Sequence, residues 1–249
     1  MIDRCREHED TSWPEPSEQR ARWPAKRALV QRLAQIGQEI GARSAIEFGG
    51  GSGEDAALLR QLTGWPVALS DVDAGLLRAA DPELEAFVLD VSNAATYPRR
   101  RLDLGFCSFL VHLLSRGGKK TFYREAHRIL SVPGALVILT ASEQDLLRRK
   151  TNTFFPSSFR VDIQRYLPVT QNQQMLLRAG FVSVSHEAIR MDVASAEAHW
   201  RLFRDRTASI LRLVPDLEYH RGMTELERQL ASGEPMSDDW SRTLLIARK

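Results

Sequence analysis

A glycine-rich turn near residue 50 constrains the fold of this chain more than any other feature. Residues 45–53 read Ala-Ile-Glu-Phe-Gly-Gly-Gly-Ser-Gly, and apolar side chains follow at spacings that suit a helix packed on a sheet. Glycine tolerates positive φ and lets a ligand approach the backbone. The start of a helix offers unpaired N–H groups to an electron-rich group. A strand, a glycine turn and a helix in this order therefore predict a cradle for a nucleotide-type ligand.

The carboxylate of Glu47 helps to distinguish two kinds of ligand for such a cradle. Gly51, Gly53 and Ala56 match the spacing of a dinucleotide fingerprint, so NAD stays an alternative. Glu47, however, lies two residues before Gly49, where a carboxylate would crowd a pyrophosphate. The same carboxylate would suit a ligand that carries a positively charged sulfonium and an amino group.

Strands and helices alternate through the first part of the chain. Apolar runs typical of buried strands cover residues 44–48, 67–70, 85–89, 102–109 and 135–140. Helical patterns cover residues 20–40, 54–62, 74–80 and 119–130. This alternation predicts a doubly wound, mostly parallel α/β sheet, in which ligands bind beyond the carboxyl ends of the strands.

The pattern loosens after strand five. Residues 143–166 mix charged and aromatic side chains with a proline and indicate no regular element. Further helical patterns cover residues 171–179, 194–212 and 217–230. Residues 181–186 and 243–247 have strand patterns and complete a predicted mixed sheet of seven strands.

The chain is long enough for one large domain with a helical cap. It has 249 residues, of which 43% are hydrophobic. We predict an N-terminal arm and helix over residues 1–43 that form a lid. A Rossmann-like core follows over residues 44–190, and residues 191–249 supply a helical cap segment and the final strand of the core sheet.

The charge balance and the cysteines exclude several functions. With 34 basic and 32 acidic residues, the net charge of +2 gives no bulk electrostatic case for nucleic acid. Cys5 and Cys107 lie far apart, which favours the reducing cytoplasm and argues against a cysteine zinc site. Residues 1–15 lack an apolar signal core, and the longest apolar stretch, residues 135–139, is too short to span a bilayer. We therefore expect no metal and no membrane partner.

Acids follow three successive strands. Asp71 ends the second strand, where a carboxylate can accept both ribose hydroxyls of a nucleoside. Asp73 is the alternative, but it falls where the next helix begins and is more typical of an N-cap. Asp90 follows the third strand. With Glu47 after the first strand, these acids are expected to surround one cleft.

These residues together resemble the class I S-adenosylmethionine (SAM) methyltransferases. The arrangement Glu47-x-Gly49-x-Gly51-x-Gly53 is similar to the first motif of that family. Residues 102–114 resemble its fourth strand and the following loop, and Pro133-Gly134 resembles the turn before its fifth strand, although the usual second glycine is alanine here. The resemblance covers about residues 44–186, and residues 243–247 fit the seventh strand.

The resemblance implies a Rossmann-like methyltransferase fold with SAM as the cofactor. In that family an acid at the position of Asp90 takes the adenine amino group, and the next backbone N–H meets the ring. Backbone and small side chains near Cys107 and Ser108 would face the methionine part of the cofactor. The candidate cofactor-binding residues are Glu47, Gly49, Gly51, Gly53, Asp71, Val72, Asp90, Val91, Cys107 and Ser108.

The sequence gives weaker evidence for the residues that bind the methyl acceptor. His112 is the candidate catalytic residue, because a neutral histidine near the methyl group can take a proton from an N–H or O–H nucleophile. A structural histidine is the alternative. Aromatic side chains suit a flat or apolar acceptor, and core packing competes with that interpretation for each of them. The candidate substrate-binding residues are Trp23, Phe109, Phe154 and Tyr166.

We predict an enzyme that moves the methyl group of SAM to an O, N or C nucleophile of a small molecule by in-line displacement, with specialised metabolism as one setting. Near-neutral charge favours a small-molecule acceptor, and we expect the enzyme to be a monomer or a homodimer. The alternatives are a protein or nucleic-acid methyltransferase, an NAD-dependent oxidoreductase and a non-catalytic SAM-binding subunit. Arg160, Arg165 and Arg190 either hold an anionic substrate or are ordinary surface arginines.

Overall fold

The strands of the molecule form one mixed sheet. The computed structural model describes residues 26–99, 101–191, 200, 203–206, 209–233 and 241–249. The strands in these ranges are β1 (Ala45–Phe48), β2 (Val67–Asp71), β3 (Glu85–Val88), β4 (Leu102–Ser108), β5 (Leu130–Thr140), β6 (Ser183–Arg190) and β7 (Ser241–Arg248). Their order across the sheet is β3-β2-β1-β4-β5-β7-β6.

The pairing confirms the predicted doubly wound topology. Strands β1 to β5 pair in parallel, whereas β7 pairs antiparallel with both β5 and β6. The strand order reverses at β1, which lies between β2 and β4. In sheets of this kind the loops that leave the carboxyl ends diverge at such a point and open a crevice. The glycine turn follows β1 directly.

Helices flank the sheet at most of the predicted places. Those in the described ranges are α1 (Arg27–Glu39), α2 (Glu54–Thr63), α3 (Ala74–Arg78), α4 (Arg116–Ile129), α5 (Glu143–Leu147), α6 (Thr151–Phe154), α7 (Ser157–Arg165), α8 (Val169–Arg178) and α9 (Asp216–Ser232). Helix α4 begins three residues before its predicted start, because the Ser115 side chain accepts from Gly118 N and caps it there. The helix predicted over residues 194–212 lies largely outside the described residues.

Alternating side chains of the central strands fill two separate cores. On one face of the sheet, Phe106 packs in a cluster with side chains of α1 and α2. On the other face, Phe48 and Cys107 pack with side chains of α4 and α8. The alternation follows from the period of two along a strand. Neighbours such as Phe106 and Cys107 therefore face opposite cores.

Three short helices follow β5 where the sequence indicates no regular element. Helix α5 begins with a capping box in which Ser142 and Asp145 bond to each other's backbone N–H groups. A third apolar cluster packs Phe155 and Leu211 against Tyr219 and further side chains of α9. Helices α5, α6 and α7 are too short to show a helical repeat, so no pattern in the sequence reveals them.

Helix α1 packs within the core of the sheet, because side chains such as Leu33 and Ile36 are buried together with those of α2. Part of the predicted lid thus supports the sheet. Residues 1–25 lie outside the described residues, and the division into lid, core and cap stays a prediction. None of the described helices has the length and apolar character needed to cross a bilayer.

Candidate functional site

The glycine turn after β1 leaves its backbone accessible at its centre. Gly49, Gly51 and Gly53 have φ values of +62°, +60° and +80°. A Cβ atom at Gly49 would lie 2.8 Å from Leu110 Cδ1, whereas one at Gly51 would meet no described atom closer than 3.8 Å. Positive φ explains the glycines, and the open space beside Gly51 allows a ligand to contact the backbone.

Glu47 lies beneath this turn and is directed at the start of α2. Its Oε2 accepts a hydrogen bond from Ala56 N over 3.0 Å, and the side chain is almost closed off from solvent at 3% exposure. Burial raises the pKa of Glu47 well above its ordinary value; Asp55 adds to the rise and Lys26 opposes it. Glu47 therefore fixes the turn to the helix from below.

Asp71 at the end of β2 is bonded to the glycine turn. Its Oδ2 accepts from Gly51 N over 2.8 Å and its Oδ1 from Asp73 N over 2.9 Å. Burial raises the pKa of Asp71, although these N–H donors lower it. Asp73 caps α3 by accepting from Gly75 N and Leu76 N, which confirms the role predicted for it. The half-buried Asp71 carboxylate is thus held beside the open face of the turn.

The segment after β3 adds a second carboxylate at this edge. Because β3 pairs beside β2, Asp90 lies near the end of β2. Asp90 Oδ1 accepts from the backbone N of Ser92 over 2.9 Å and from its hydroxyl over 2.6 Å. Val91 is buried, and Val72 is exposed beyond β2. The strand order thus brings the candidate residues after β1, β2 and β3 to one edge of the sheet.

The end of β4 reaches the start of α2. Ser108 Oγ donates to Asp55 Oδ2 over 3.4 Å. The buried Asp55 carboxylate also accepts from Lys26 N over 2.7 Å and pairs with Lys26 Nζ. Cys107 points into the core, where burial raises the pKa of its thiol. Only the backbone of Cys107 is therefore left to face a ligand.

His112 lies in a single helical turn that follows β4. Its ring stacks on Tyr166 with centroids 4.3 Å apart and planes at 7°. Burial lowers the pKa of His112 to about 2, and Arg165, Arg149 and Lys119 lower it further in that order. The imidazole is therefore neutral near pH 7. Its Nδ1 is buried with no hydrogen-bond partner among the described residues.

Two arginines of the segment after β5 share one carboxylate next to Tyr166. Asp162 pairs with Arg149, and its Oδ1 lies 3.6 Å from Arg165 Nη1. Arg149 also donates to the Tyr166 hydroxyl over 3.2 Å, and its guanidinium carbon lies 5.1 Å from the centre of that ring. Tyr166 therefore connects the arginines to His112 in one buried cluster.

The other candidate substrate residues lie in different surroundings. Phe109 has a φ of +52°, which is uncommon for a bulky residue, at the turn directly after β4. Phe154 packs in the helical cluster, with its ring centre 6.4 Å from that of Phe155. Trp23 lies outside the described residues. The structure thus brings Tyr166 to His112 and packs Phe154 into the helical segment.

Several residues at this edge were not identified from the sequence. Asp55 resembles any acid in the first turn of a helix, and Lys26 has no motif. Arg149 lies in the loop after α5 and Asp162 in the short helix α7, so their pairing has no sequence signal. Among the described residues, no group of three or more His, Cys, Asp or Glu side chains is placed to hold a metal ion.

No protein-family model and no curated protein matches the chain. Solved structures do match it. A protein of Anabaena variabilis described as a candidate methyltransferase of an antibiotic biosynthesis pathway is 18% identical, with a TM-score of 0.67 over 88% of this chain and 96% of that one. A SAM-dependent methyltransferase from Archaeoglobus fulgidus is 14% identical, with a TM-score of 0.54 over 90% and 94% of the two chains.

A third structure is longer than this chain. Phosphoethanolamine N-methyltransferase 2 of Haemonchus contortus, in complex with SAM, is 14% identical with a TM-score of 0.53; the match covers 88% of this chain and 52% of that one. These likenesses establish the fold. The chain has the Rossmann-like fold of class I SAM-dependent methyltransferases, as its first motif and strand order predict.

Proposed function

We propose that this chain is a SAM-dependent methyltransferase with a small-molecule acceptor. One observation carries the proposal: Gly51 N donates to Asp71 Oδ2 over 2.8 Å at the open face of the glycine turn. A carboxylate held there by the turn itself is ready to bind a nucleoside at the crevice where the strand order reverses. The fold of solved methyltransferases, one of them in complex with SAM, supports the same ligand.

The residues at this edge fit a nucleoside that carries a positive sulfonium. Asp71 would accept the ribose hydroxyls, and Asp90 with the Val91 N–H would take the adenine. The open backbone beside Gly51 would contact the ligand. Glu47 is bonded to Ala56 N, so it would act by fixing the turn and by adding negative potential beneath it.

When bound, SAM supplies an activated methyl group on a good, neutral leaving group. The protein must therefore align the acceptor and exclude water. His112 is neutral, because burial and nearby cations disfavour its protonated form. For the same reason it is a poor base when no negative charge lies beside it. We infer that His112 orients the acceptor through a hydrogen bond, while Tyr166 and Phe109 restrict water.

A small-molecule acceptor agrees with the near-neutral charge and with the burial of His112 against the Tyr166 ring. The antibiotic-pathway description of the Anabaena protein is in keeping with specialised metabolism. We propose a cytoplasmic enzyme, from the cysteine usage, that acts on an O, N or C nucleophile.

Calorimetric titration with SAM tests the cofactor site. The variant Asp71→Asn removes the charge while it keeps a side chain that can accept from Gly51 N. Loss of a charge-assisted hydrogen bond should weaken SAM binding by about 1.5–3 kcal/mol, roughly tenfold to a hundredfold. The variant Asp81→Asn, at a turn where Asp81 accepts from Glu83 N, serves as the matched control and should bind SAM normally.

The same titration contradicts the proposal in either of two cases. The wild-type protein could take up NAD and not SAM, which would favour an oxidoreductase. Alternatively, Asp71→Asn could bind SAM with unchanged affinity, which would remove Asp71 from the site. Turnover of SAM to S-adenosylhomocysteine with a panel of small acceptors then separates an enzyme from a non-catalytic binding subunit.

A further inference from the structure

Three buried cations lie next to His112. Arg149 lies in the loop between α5 and α6, Arg165 is the last residue of α7, and Lys119 comes from the first turn of α4. Their side chains are largely withdrawn from water, with exposed fractions of 12% for Arg149 and 18% for Arg165. Lys119 is buried as well and donates to Leu114 O. We call these three residues the cationic cluster.

The described residues place fewer negative than positive charges at the cationic cluster. Asp162 is shared by the two arginines. Asp145 acts on Arg149 from a distance, but its carboxylate is bonded to Ser142 N and to the Thr243 hydroxyl. Within the described ranges, two carboxylates therefore face three cations. Buried charge of one sign is unfavourable unless it is paired, so the cluster favours an additional anion.

Unused donors mark the place for that anion. Arg149 Nε, Arg165 Nη1 and His112 Nδ1 are each buried without a hydrogen-bond partner among the described residues. A buried polar group without a partner costs about 1–3 kcal/mol. The three side chains belong to one cluster, because Arg149 and His112 contact the same Tyr166 ring and both arginines face Asp162. An oxygen-bearing anion would accept hydrogen bonds from the two arginines and, in the tautomer that carries the proton on Nδ1, from His112.

The cluster lies beside the proposed cofactor site. His112 follows Leu110 by two residues, and the Leu110 side chain packs against Gly49 of the glycine turn. The short helical turn after β4 thus connects the cluster to the glycine turn. By contrast, Arg160 and Arg190 are exposed, so only Arg165 of the three arginines named from the sequence is suited to this task.

We propose that the methyl acceptor carries an anionic group, a carboxylate or a phosphate, and that Arg149 and Arg165 bind it beside His112. The inference rests on the proposed methyl transfer, for which it names the class of acceptor. Arginine suits the role because its guanidinium stays charged and carries five N–H donors. Arg149 can therefore keep Asp162 and Tyr166 and still offer Nε, and Arg165 can keep Ser209 and still offer Nη1. In the absence of the acceptor, Asp162 keeps both guanidinium groups in position.

Binding of an anion also changes what His112 can do. The cations that disfavour its protonation are Arg165, Arg149 and Lys119, and Asp162 faces the two arginines. A bound anion offsets them and raises the pKa of His112, which makes the imidazole a better acceptor of a proton. The site would then activate a nucleophile only when an acceptor with the matching charge is present.

Titration with inorganic phosphate and with acetate tests the inference. Binding is followed by calorimetry at constant ionic strength with chloride as the reference anion, both with and without S-adenosylhomocysteine. We expect one of the two anions to bind wild-type protein at least tenfold more tightly than it binds Arg165→Gln. The exposed Arg160→Gln on the same helix is the matched control and should bind like wild type. S-adenosylhomocysteine should bind all three proteins equally.

Two further measurements show whether weaker anion binding by Arg165→Gln comes from a folding defect. Arg165→Lys keeps the charge but cannot bond Ser209 and the anion in the same geometry, so it should bind the anion with an affinity between those of wild type and Arg165→Gln. In protein labelled with ¹⁵N-histidine, the anion should shift the ring signals of His112 and leave those of His127 and His186 in place. Equal anion binding by Arg165→Gln and Arg160→Gln would overturn the inference.

The outcomes also separate this inference from the proposed function. Binding of S-adenosylhomocysteine without binding of either anion would overturn the anionic acceptor and leave the methyltransferase intact. Anion binding that depends on Arg165, in a protein that ignores both SAM and S-adenosylhomocysteine, would support the anion site and overturn the methyltransferase. Whichever of phosphate and acetate depends on Arg165 identifies the chemical class.

Discussion

The imidazole of His112, on the acceptor side of the site, makes the free energy of unfolding depend on pH in the acidic range. In the folded protein its pKa is lowered to about 2, first by burial and then by Arg165, Arg149 and Lys119. In the unfolded chain the ordinary value near 6.5 applies. Between these values the unfolded chain binds a proton that the folded protein does not bind. The contribution of His112 to stability is therefore present above about pH 6.5 and is lost as the pH falls.

The variant His112→Gln should remove this part of the pH dependence. Below the unfolded pKa, wild type should lose about 1.4 kcal/mol of unfolding free energy per pH unit because of His112, or about 2 kcal/mol between pH 6.5 and pH 5. Urea denaturation of both proteins at pH 7.5 and pH 5 measures the difference. Parallel losses in the two proteins would show that His112 is protonated in the folded state.

Glu47 shows what a motif reveals about a residue and what it leaves open. Its spacing to Gly49 predicts an acid at the glycine turn, and the structure has the carboxylate there. Its contact with Ala56 N depends on which face of β1 it occupies and on where α2 begins. Those are properties of the packed structure. The sequence could therefore indicate the place of Glu47 but not the atom that it bonds.

At the scale of elements, α2 is bounded by two left-handed glycines with unequal surroundings. Gly53 precedes the helix with a φ of +80°, and Gly64 ends it with a φ of +72°. A Cβ atom at Gly53 would lie 2.6 Å from Leu69 Cδ2, whereas one at Gly64 would meet no described atom within 4 Å. The two positions therefore share the same backbone strain and differ in steric room.

This difference predicts unequal effects of two alanine substitutions. Gly64→Ala should cost about 1 kcal/mol of unfolding free energy, from the left-handed conformation alone. Gly53→Ala adds a clash in a packed core and should cost about 2–4 kcal/mol in total. Denaturant unfolding of both variants measures the costs. Equal costs would mean that the Leu69 side chain moves aside without penalty.

The elements that could be predicted are those whose burial follows a regular period. Strands β1, β2 and β4 and most of β5 are apolar runs because both faces are covered, and α4 carries an apolar stripe because only one face is. The predicted strand at β3 lies at the edge of the sheet, and its residues are mostly exposed. Arg149 lies in the loop between α5 and α6 and pairs with Asp162 of α7, whereas Asp162 and Arg165 are three residues apart on α7. The pair between Arg149 and Asp162 is set by tertiary structure and leaves no repeat in the sequence.

At the scale of the whole molecule, cofactor binding and acceptor binding are proposed for two different regions. The residues proposed for the cofactor follow β1 to β4 at one edge of the sheet. The arginines proposed for the acceptor belong to the helical segment, which has its own apolar cluster around Phe155 and Tyr219. The first region is fixed by the sheet and the second by helix packing. A substitution that destabilises the helical segment should therefore leave the cofactor region at the sheet edge intact.

Gly222 of α9 provides the test of this division. A Cβ atom there would clash with the Phe155 ring and the Phe154 carbonyl, at the contact between α9 and α6. Gly222→Ala should lower the stability of the helical segment by about 1–3 kcal/mol. Gly233→Ala is the matched control, because Gly233 ends the same helix at positive φ with no described atom within 4 Å of a Cβ.

Calorimetry and hydrogen exchange should then separate the two regions. In Gly222→Ala, S-adenosylhomocysteine should bind as it binds wild type, while exchange protection falls across α6 and α9 and the Arg165-dependent affinity for phosphate or acetate falls with it. Gly233→Ala should keep both affinities. If Gly222→Ala lost both ligands together, the sheet edge and the helical segment would unfold as one cooperative unit, and the acceptor side could not be altered independently of the cofactor side.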